Sequence, residues 1–304
     1  MKNQFIKTLT LSLIFMIPMV LLAQEKTEKP VAEPVLSTFE HSFLMNNNTT
    51  ETHAKRSLDV AIQHRFGLAD QPHDLYGFYA PSNIRLYIGY GITKKLAIGI
   101  GATKANENYD LSWKYAILKQ QSFGMPVNVT YTGNVAMSGV LETKLFNQTN
   151  KALMSNRLTY YNEILVSRKF DNHLSLQVGM NYSYFNLLDS GAFYGHKDYA
   201  GMTHGFFGFS AAGRYKFSPQ SSILFEYNMP LGVSDIPKAS RPMSNIGIGF
   251  EVSTGNHQFQ IFICNTNAIL SQTARVFNVN DNSNFNVPAW LVGFNITRQW
   301  GFSK

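Results

Sequence analysis

Seven charged residues, Arg65, Arg85, Lys114, Glu163, Arg214, Glu226 and Glu251, stand inside segments whose large apolar residues recur at every second position. All seven fall on the opposite face from those apolar residues, the face rich in Gly, Ser, Asn and Gln. Such charges suit one of two chemistries. In a narrow polar interior opposite charges pair and fill the space; unpaired, they form a selectivity ring for anionic or zwitterionic solutes. By phase and depth Arg65 and Arg85 belong at one mouth, Lys114 and Glu163 near mid-height, and Arg214 and Glu251 toward the other end.

Other reactive residues form no constellation. Of the eight histidines, His41 and His53 precede the alternating segments, His73 and His196 lie in long connections, His173 lies in a short turn, and His64, His204 and His257 lie in or beside candidate strands. None recurs with Ser, Asp or Glu at an offset typical of a nucleophile and its base, or of a metal set. His64 shares the phase of the apolar face. Cys264 is the only cysteine and has no internal partner for a disulfide. The expectation is a protein without catalytic residues, metal or cofactor.

The elements that must position the seven charges are strands, because the alternation has the period of two that strands impose. Leu58, Val60, Ile62 and Phe66 oppose Asp59, Ala61, Gln63 and Arg65; Leu174, Leu176, Val178, Met180, Tyr182 and Tyr184 oppose Ser175, Gln177, Gly179, Asn181 and Ser183. Short and long reversals alternate along the chain. The short ones are Thr93 to Lys95, Gln120 to Gly124, Phe170 to His173, Ser218 to Gln220 and Thr254 to Asn256, built from turn-forming or charged residues. The long ones run about Leu68–Pro81, Thr103–Asn108, Gly139–Leu153, Leu188–Gly201, Pro230–Met243 and Thr266–Val287. Short periplasmic turns and long outer loops are the habit of bacterial outer-membrane barrels. Aromatics near both ends of the apolar face, among them Tyr109, Tyr184, Phe207 and Tyr227 at one end and Tyr90, Tyr215, Phe217 and Trp300 at the other, suit two interfacial girdles. The fold expected is an all-β, antiparallel, up-and-down transmembrane barrel of about twelve strands, within roughly ten to fourteen.

Residues 1–23 carry Lys2 and Lys7, then an apolar run from Leu9 to Leu22, then Ala23, the pattern of a cleaved signal peptide. Residues 24–56 form a periplasmic leader, its Lys/Glu/Pro-rich first part disordered. Within it Leu36 to Met45 is more apolar and is a candidate to fold into the barrel or cap it, against the commoner arrangement in which such a leader does not plug the barrel. Residues 57–304 are the barrel. The net charge of +7, less Lys2 and Lys7 of residues 1–23, leaves +5 spread along strands and turns, which does not suit a nucleic-acid partner.

QHRFG (Gln63 to Gly67), RLYIGYGITKKLAIGIG (Arg85 to Gly101), SRKFDNHLSLQVG (Ser167 to Gly179), AAGRYKF (Ala211 to Phe217), GIGFEVSTGNHQFQIF (Gly247 to Phe262) and VGFNITRQW (Val292 to Trp300) together resemble a family of uncharacterised β-barrels of Bacteroidota, catalogued as a domain of unknown function. The resemblance implies an outer-membrane barrel and supplies no activity. The expected partners are outer-membrane lipid, the barrel-assembly machinery and a small solute of unknown identity. The expected role is a passive channel or small-solute transporter with a charged lumen. A closed barrel acting as a structural or surface-interaction module is the second reading, and a barrel enzyme acting on lipid or peptide the third.

Overall fold

The computed structural model describes residues 32–69, 72–140, 153–187, 204–236, 241–278 and 290–302. Residues 1–31, where a signal peptide and the start of the leader are expected, and stretches of the long loops, with His196, lie outside the described residues.

A small hairpin comes first, β1 (Phe43–Leu44) against β2 (Asn47–Asn48). Twelve long strands follow: β3 (Ser57–Arg65), β4 (Asn83–Gly91), β5 (Leu96–Thr103), β6 (Asn108–Leu118), β7 (Asn128–Ser138), β8 (Leu158–Lys169), β9 (Leu174–Phe185), β10 (Gly205–Lys216), β11 (Ser221–Leu231), β12 (Asn245–Thr254), β13 (His257–Cys264) and β14 (Leu291–Gly301). Each pairs antiparallel with its sequence neighbours, and β14 pairs with β3 from Gly293↔Arg65 to Gly301↔Ser57, so the sheet closes. Closure leaves no sheet edge, the condition for strands to cross a hydrocarbon layer. A single register shift, between Ala116 and Leu118 of β6, interrupts the pairing.

The short turns are fastened by their own side chains. Thr93 Oγ1 accepts from Lys95 N and Leu96 N, and Asp171 Oδ1 accepts from His173 N and Leu174 N at 2.7 Å each. Those two bonds hold the exposed Asp171 carboxyl below its usual range. Gly255 takes φ +61°, a conformation that costs little only for glycine.

Burial follows the alternation. The inward positions are enclosed, while Leu86, Ile100, Ile261 and Tyr109 on the other face stay more than half exposed. A soluble fold would hide such residues; here they form the band that lipid covers. Toward the outer end Tyr182 packs on Phe207 at 4.8 Å, and toward the inner end Phe217 packs on Phe250 at 5.8 Å. Arg298, which breaks the apolar pattern, lies over the Trp300 ring at 4.7 Å, so its charge is held at the inner aromatic girdle.

Ile261 stands midway along β13 on the lipid face. Replacing it with lysine should lower the unfolding free energy in lipid vesicles by about 2–4 kcal/mol, read from guanidinium titration, because the ammonium would lie near the bilayer midplane.

Candidate functional site

The interior of the barrel is occupied by the chain's own leader. From Ser37 to His53 the backbone runs inside the wall, and the β1–β2 hairpin is its innermost part. The leader thus divides: its beginning lies outside the described residues, and its end is the filling of the lumen. Leu36 to Met45, for which sequence alone favours a place outside the barrel over insertion or capping, instead places Phe39, Leu44 and Met45 in a buried cluster with Ala212, Leu224, Phe262, Cys264 and Leu291 of the wall.

Polar wall residues grip the hairpin tip from four strands. Met45 N donates to Gln260 Oε1 at 3.1 Å, and Met45 O accepts from Asn295 Nδ2 at 2.9 Å and Arg65 Nη2 at 3.3 Å. Asn46 donates through its backbone N to Glu226 Oε2 at 2.9 Å and through its side chain to Glu226 Oε1, while its Oδ1 accepts from Arg65 Nε at 2.9 Å. These contacts fix Met45 in a left-handed conformation, φ +51°, that its side chain disfavours. Further along, Gln177 Nε2 donates to Asn48 O at 2.8 Å and Gln177 Oε1 accepts from Thr50 N at 2.9 Å. Lys114 Nζ bonds the carbonyls of Ser42 and Thr49.

At the inner end Glu40 of the leader receives Arg214 at 2.6 Å and Lys216 at 3.1 Å. Burial works to raise the Glu40 carboxyl, but Arg214 and then Lys216 outweigh it and hold the group below its ordinary value. His53 Nδ1 lies 2.5 Å from Asp59 Oδ2, with Ser42 Oγ at 3.2 Å from the same nitrogen and Tyr87 OH at 3.3 Å from Nε2. A relay from carboxylate through imidazole to hydroxyl needs the serine and the acid on opposite ring nitrogens. Here they share one, and the group ties the leader to β3 and β4.

The outer side is closed by a second element. In the sixth long loop a short helix, α1 (Ser271–Val276), turns inward. Gln272 Nε2 donates to Asn134 Oδ1 at 2.9 Å, and Arg275 Nη2 donates to Asn47 Oδ1 at 2.6 Å, so helix and hairpin touch. Phe277 packs edge-on to Phe185 at 4.9 Å. Between hairpin, wall and α1 a void of about 30 Å³ remains, bordered by Phe43, Asn46, Arg85, Tyr87, Lys114 and Ser271. That is room for one or two waters.

All seven charges singled out from sequence point inward and are buried. Arg65 is enclosed at the hairpin tip and stacks over Phe262 at 4.5 Å. Arg85 makes a two-bond pair with Asp110, at 3.0 and 2.6 Å, and donates to Gln63. The two arginines therefore do not form an open cationic mouth: one is neutralised within the wall and the other covered by the leader. Lys114 and Glu226 bind the leader directly. Glu163 accepts from Ser210 at 2.7 Å, Arg214 reaches Glu40, and Glu251 accepts from Gln260 Nε2 at 2.9 Å and from Gln258. Sequence reasoning weighted charges and passed over the amides Gln177, Gln260 and Asn295, which bond the leader directly, and Asn134, which bonds α1. Their signal was present: each is an amide at an inward position, and Asn46 to Asn48 offered amides in return.

Closed barrel, lipid-facing apolar band and filled polar interior together define a membrane-bound β-barrel. The chain belongs to the family described as Membrane bound beta barrel domain (DUF5777), whose model matches residues 39–300 and so begins within the leader segment inside the barrel. Among solved structures it is similar to the NanC porin (10% identity, 81% of this chain and 100% of that one, TM-score 0.48). It is also similar to the COG4313 outer membrane channel from Pseudomonas putida F1 (11% identity, 82% and 97%, TM-score 0.48) and to the KdgM porin (10%, 81% and 99%, TM-score 0.45). A search of curated proteins finds no match.

Asn46 satisfies both Arg65 and Glu226, which leaving would strand in a dry site. Asn46→Ala should weaken the seat of the hairpin by about 1–3 kcal/mol. Hydrogen exchange of the Met45 and Asn46 amides should rise correspondingly, while amides of β8 and β9 keep their protection.

Proposed function

We propose that this protein is an outer-membrane channel held shut by its own N-terminal segment, and that solute passes when the segment leaves the lumen. The observation that carries the reading is the chemistry of the contact. Much of the surface between hairpin and wall is made of hydrogen bonds among amides, carbonyls and charges, from Arg65 and Glu226 at the tip to Arg214 and Glu40 at the base. Water can replace these bonds, so withdrawal exposes a hydrophilic bore rather than a greasy one. Val35 N bonds Gln120 O and Glu33 O accepts from Ser122 N, both at a short turn, so the segment enters the lumen from the short-turn side and would leave by it.

A second reading has its own observation. Phe39, Leu44 and Met45 sit in an apolar socket of the wall, and burying each side chain contributes about 1.5–3 kcal/mol. Spontaneous withdrawal is therefore rare, and a barrel that never opens would act through its outer loops as a structural or interaction module. On either reading the lumen is closed at rest.

Planar-bilayer recordings separate the two. The mature protein should be silent or nearly so, and a variant lacking residues 33–56 should show discrete conductance steps. If that variant folds, shown by heat-dependent electrophoretic mobility, and is still silent, the channel reading fails and the module reading stands. A disulfide between Thr50→Cys and Ser167→Cys, whose side-chain hydroxyls meet directly between leader and wall, should abolish any openings of the full-length barrel.

Without the leader Arg65 loses its hairpin acceptors, whereas Arg85 keeps Asp110. In the open variant Arg65→Glu should therefore shift reversal potentials toward cation preference, and Arg85→Glu should shift them less. Equal shifts, or none, would remove Arg65 from the conducting path.

A further inference from the structure

The first long loop, between β3 and β4, carries the uncharged run Leu75-Tyr76-Gly77-Phe78-Tyr79-Ala80-Pro81. In water such a run would fold its side chains away. Here Leu75, Tyr76, Phe78 and Tyr79 are all about half exposed or more, with Tyr79 at 79%.

The display is built and fastened. Leu75, Tyr76 and Gly77 take φ of +55°, +54° and +90° in succession, which two bulky residues adopt only where the surroundings hold them. Asp74 supplies two of the holds: its Oδ1 accepts from Gly77 N at 2.8 Å and its backbone O from Tyr79 N at 2.9 Å. Gly67 N donates to Gly77 O at 3.0 Å across the base of the loop. The two strands of the loop are so close there that a Cβ on Gly77 would lie 2.3 Å from Gly67 O. Energy is spent keeping apolar side chains outward.

The direction is set by aromatic stacking. Phe78 packs on Phe66 at 4.5 Å, Phe66 on His64 at 4.5 Å, and His64 on Phe294 at 4.8 Å, a column that continues the lipid-facing side of β3 and β14 upward into the loop. The apolar edge thus adjoins the lipid-covered wall. This is also the short side of the barrel. β3 and β4 have 9 residues and β5 has 8, against 12 in each of β8, β9 and β10. A tilted spanning strand needs about 9–11 residues. On this side the wall is only just tall enough.

From this geometry we propose that the first long loop is a membrane foot: Leu75, Tyr76, Phe78 and Tyr79 seat in the lipid leaflet on the long-loop side and extend the apolar band where the strands are short. The occupant is lipid because the patch is continuous with the lipid-facing wall, is rich in the aromatic residues that favour the interface, and carries no charge between Leu75 and Pro81.

The test uses the full mature barrel, with Cys264→Ala to remove the single native thiol. Tyr79→Cys is labelled with an environment-sensitive fluorophore and reconstituted in phosphatidylcholine vesicles. Asn106→Cys, in the second long loop, serves as the aqueous comparison. Folding of each is checked by heat-dependent mobility. The foot predicts blue-shifted emission at position 79, loss of intensity with lipids brominated high on the acyl chain, and protection from aqueous iodide, with the reverse at position 106. Emission at 79 that iodide quenches and brominated lipid does not would overturn the proposal, and so would a label shielded from both, which would mean that protein covers the loop.

Discussion

Everything in this molecule turns on one requirement, that polar groups removed from water find partners. The outer face meets it trivially, since apolar side chains face lipid and every strand bonds to two neighbours. The inner face cannot. It carries arginines, glutamates, lysine and many amides, and a ring of twelve strands is too wide for those side chains to satisfy one another across the bore. A chain segment supplies what is missing. The backbone of Ser42, Met45, Asn48, Thr49 and Thr50 offers donors and acceptors to Lys114, Arg65, Gln260, Asn295, Gln177 and Thr130. Wall and filling are each incomplete alone.

This requirement also explains the mixture of forces at the contact. Hydrogen bonds fix register and orientation but gain little over water, about 0.5–1.5 kcal/mol each. The apolar socket around Leu44 and Met45 supplies the rest of the hold. The arrangement resembles a domain core built inside out: the polar network lies at the centre, and the largest apolar surface lies outside.

The barrel was readable from residue types because lipid imposes a rule with few exceptions. Alternation at Leu174 to Phe185 could be satisfied only by a strand with one greasy face, and the rhythm of turns fixed which strands were neighbours. The filling was harder to read. Phe43 to Asn48 has no run long enough to register as a strand pair, and its partners, Glu226, Gln260 and Asn295, lie some 180 to 250 residues away in sequence. Charge pairs were legible as inward but not as pairs: Arg85 and Asp110 stand on strands separated by β5, so their meeting depends on barrel curvature. The helix α1 has six residues and no side-chain cap, so nothing local announced it.

The tip of the hairpin draws on β3, β11, β13 and β14 at once, and that gives assembly a direction in time. The hairpin is synthesised before any wall strand, yet the socket that holds it comes into being only when the last strand meets the first. Between those moments Asn46 has no Glu226, and Met45 has neither Gln260 nor Asn295. Contacts of such long sequence separation form late. The hairpin is made before any of the strands that hold it, and its seat is complete only when β14, the last of them, is in place beside β3.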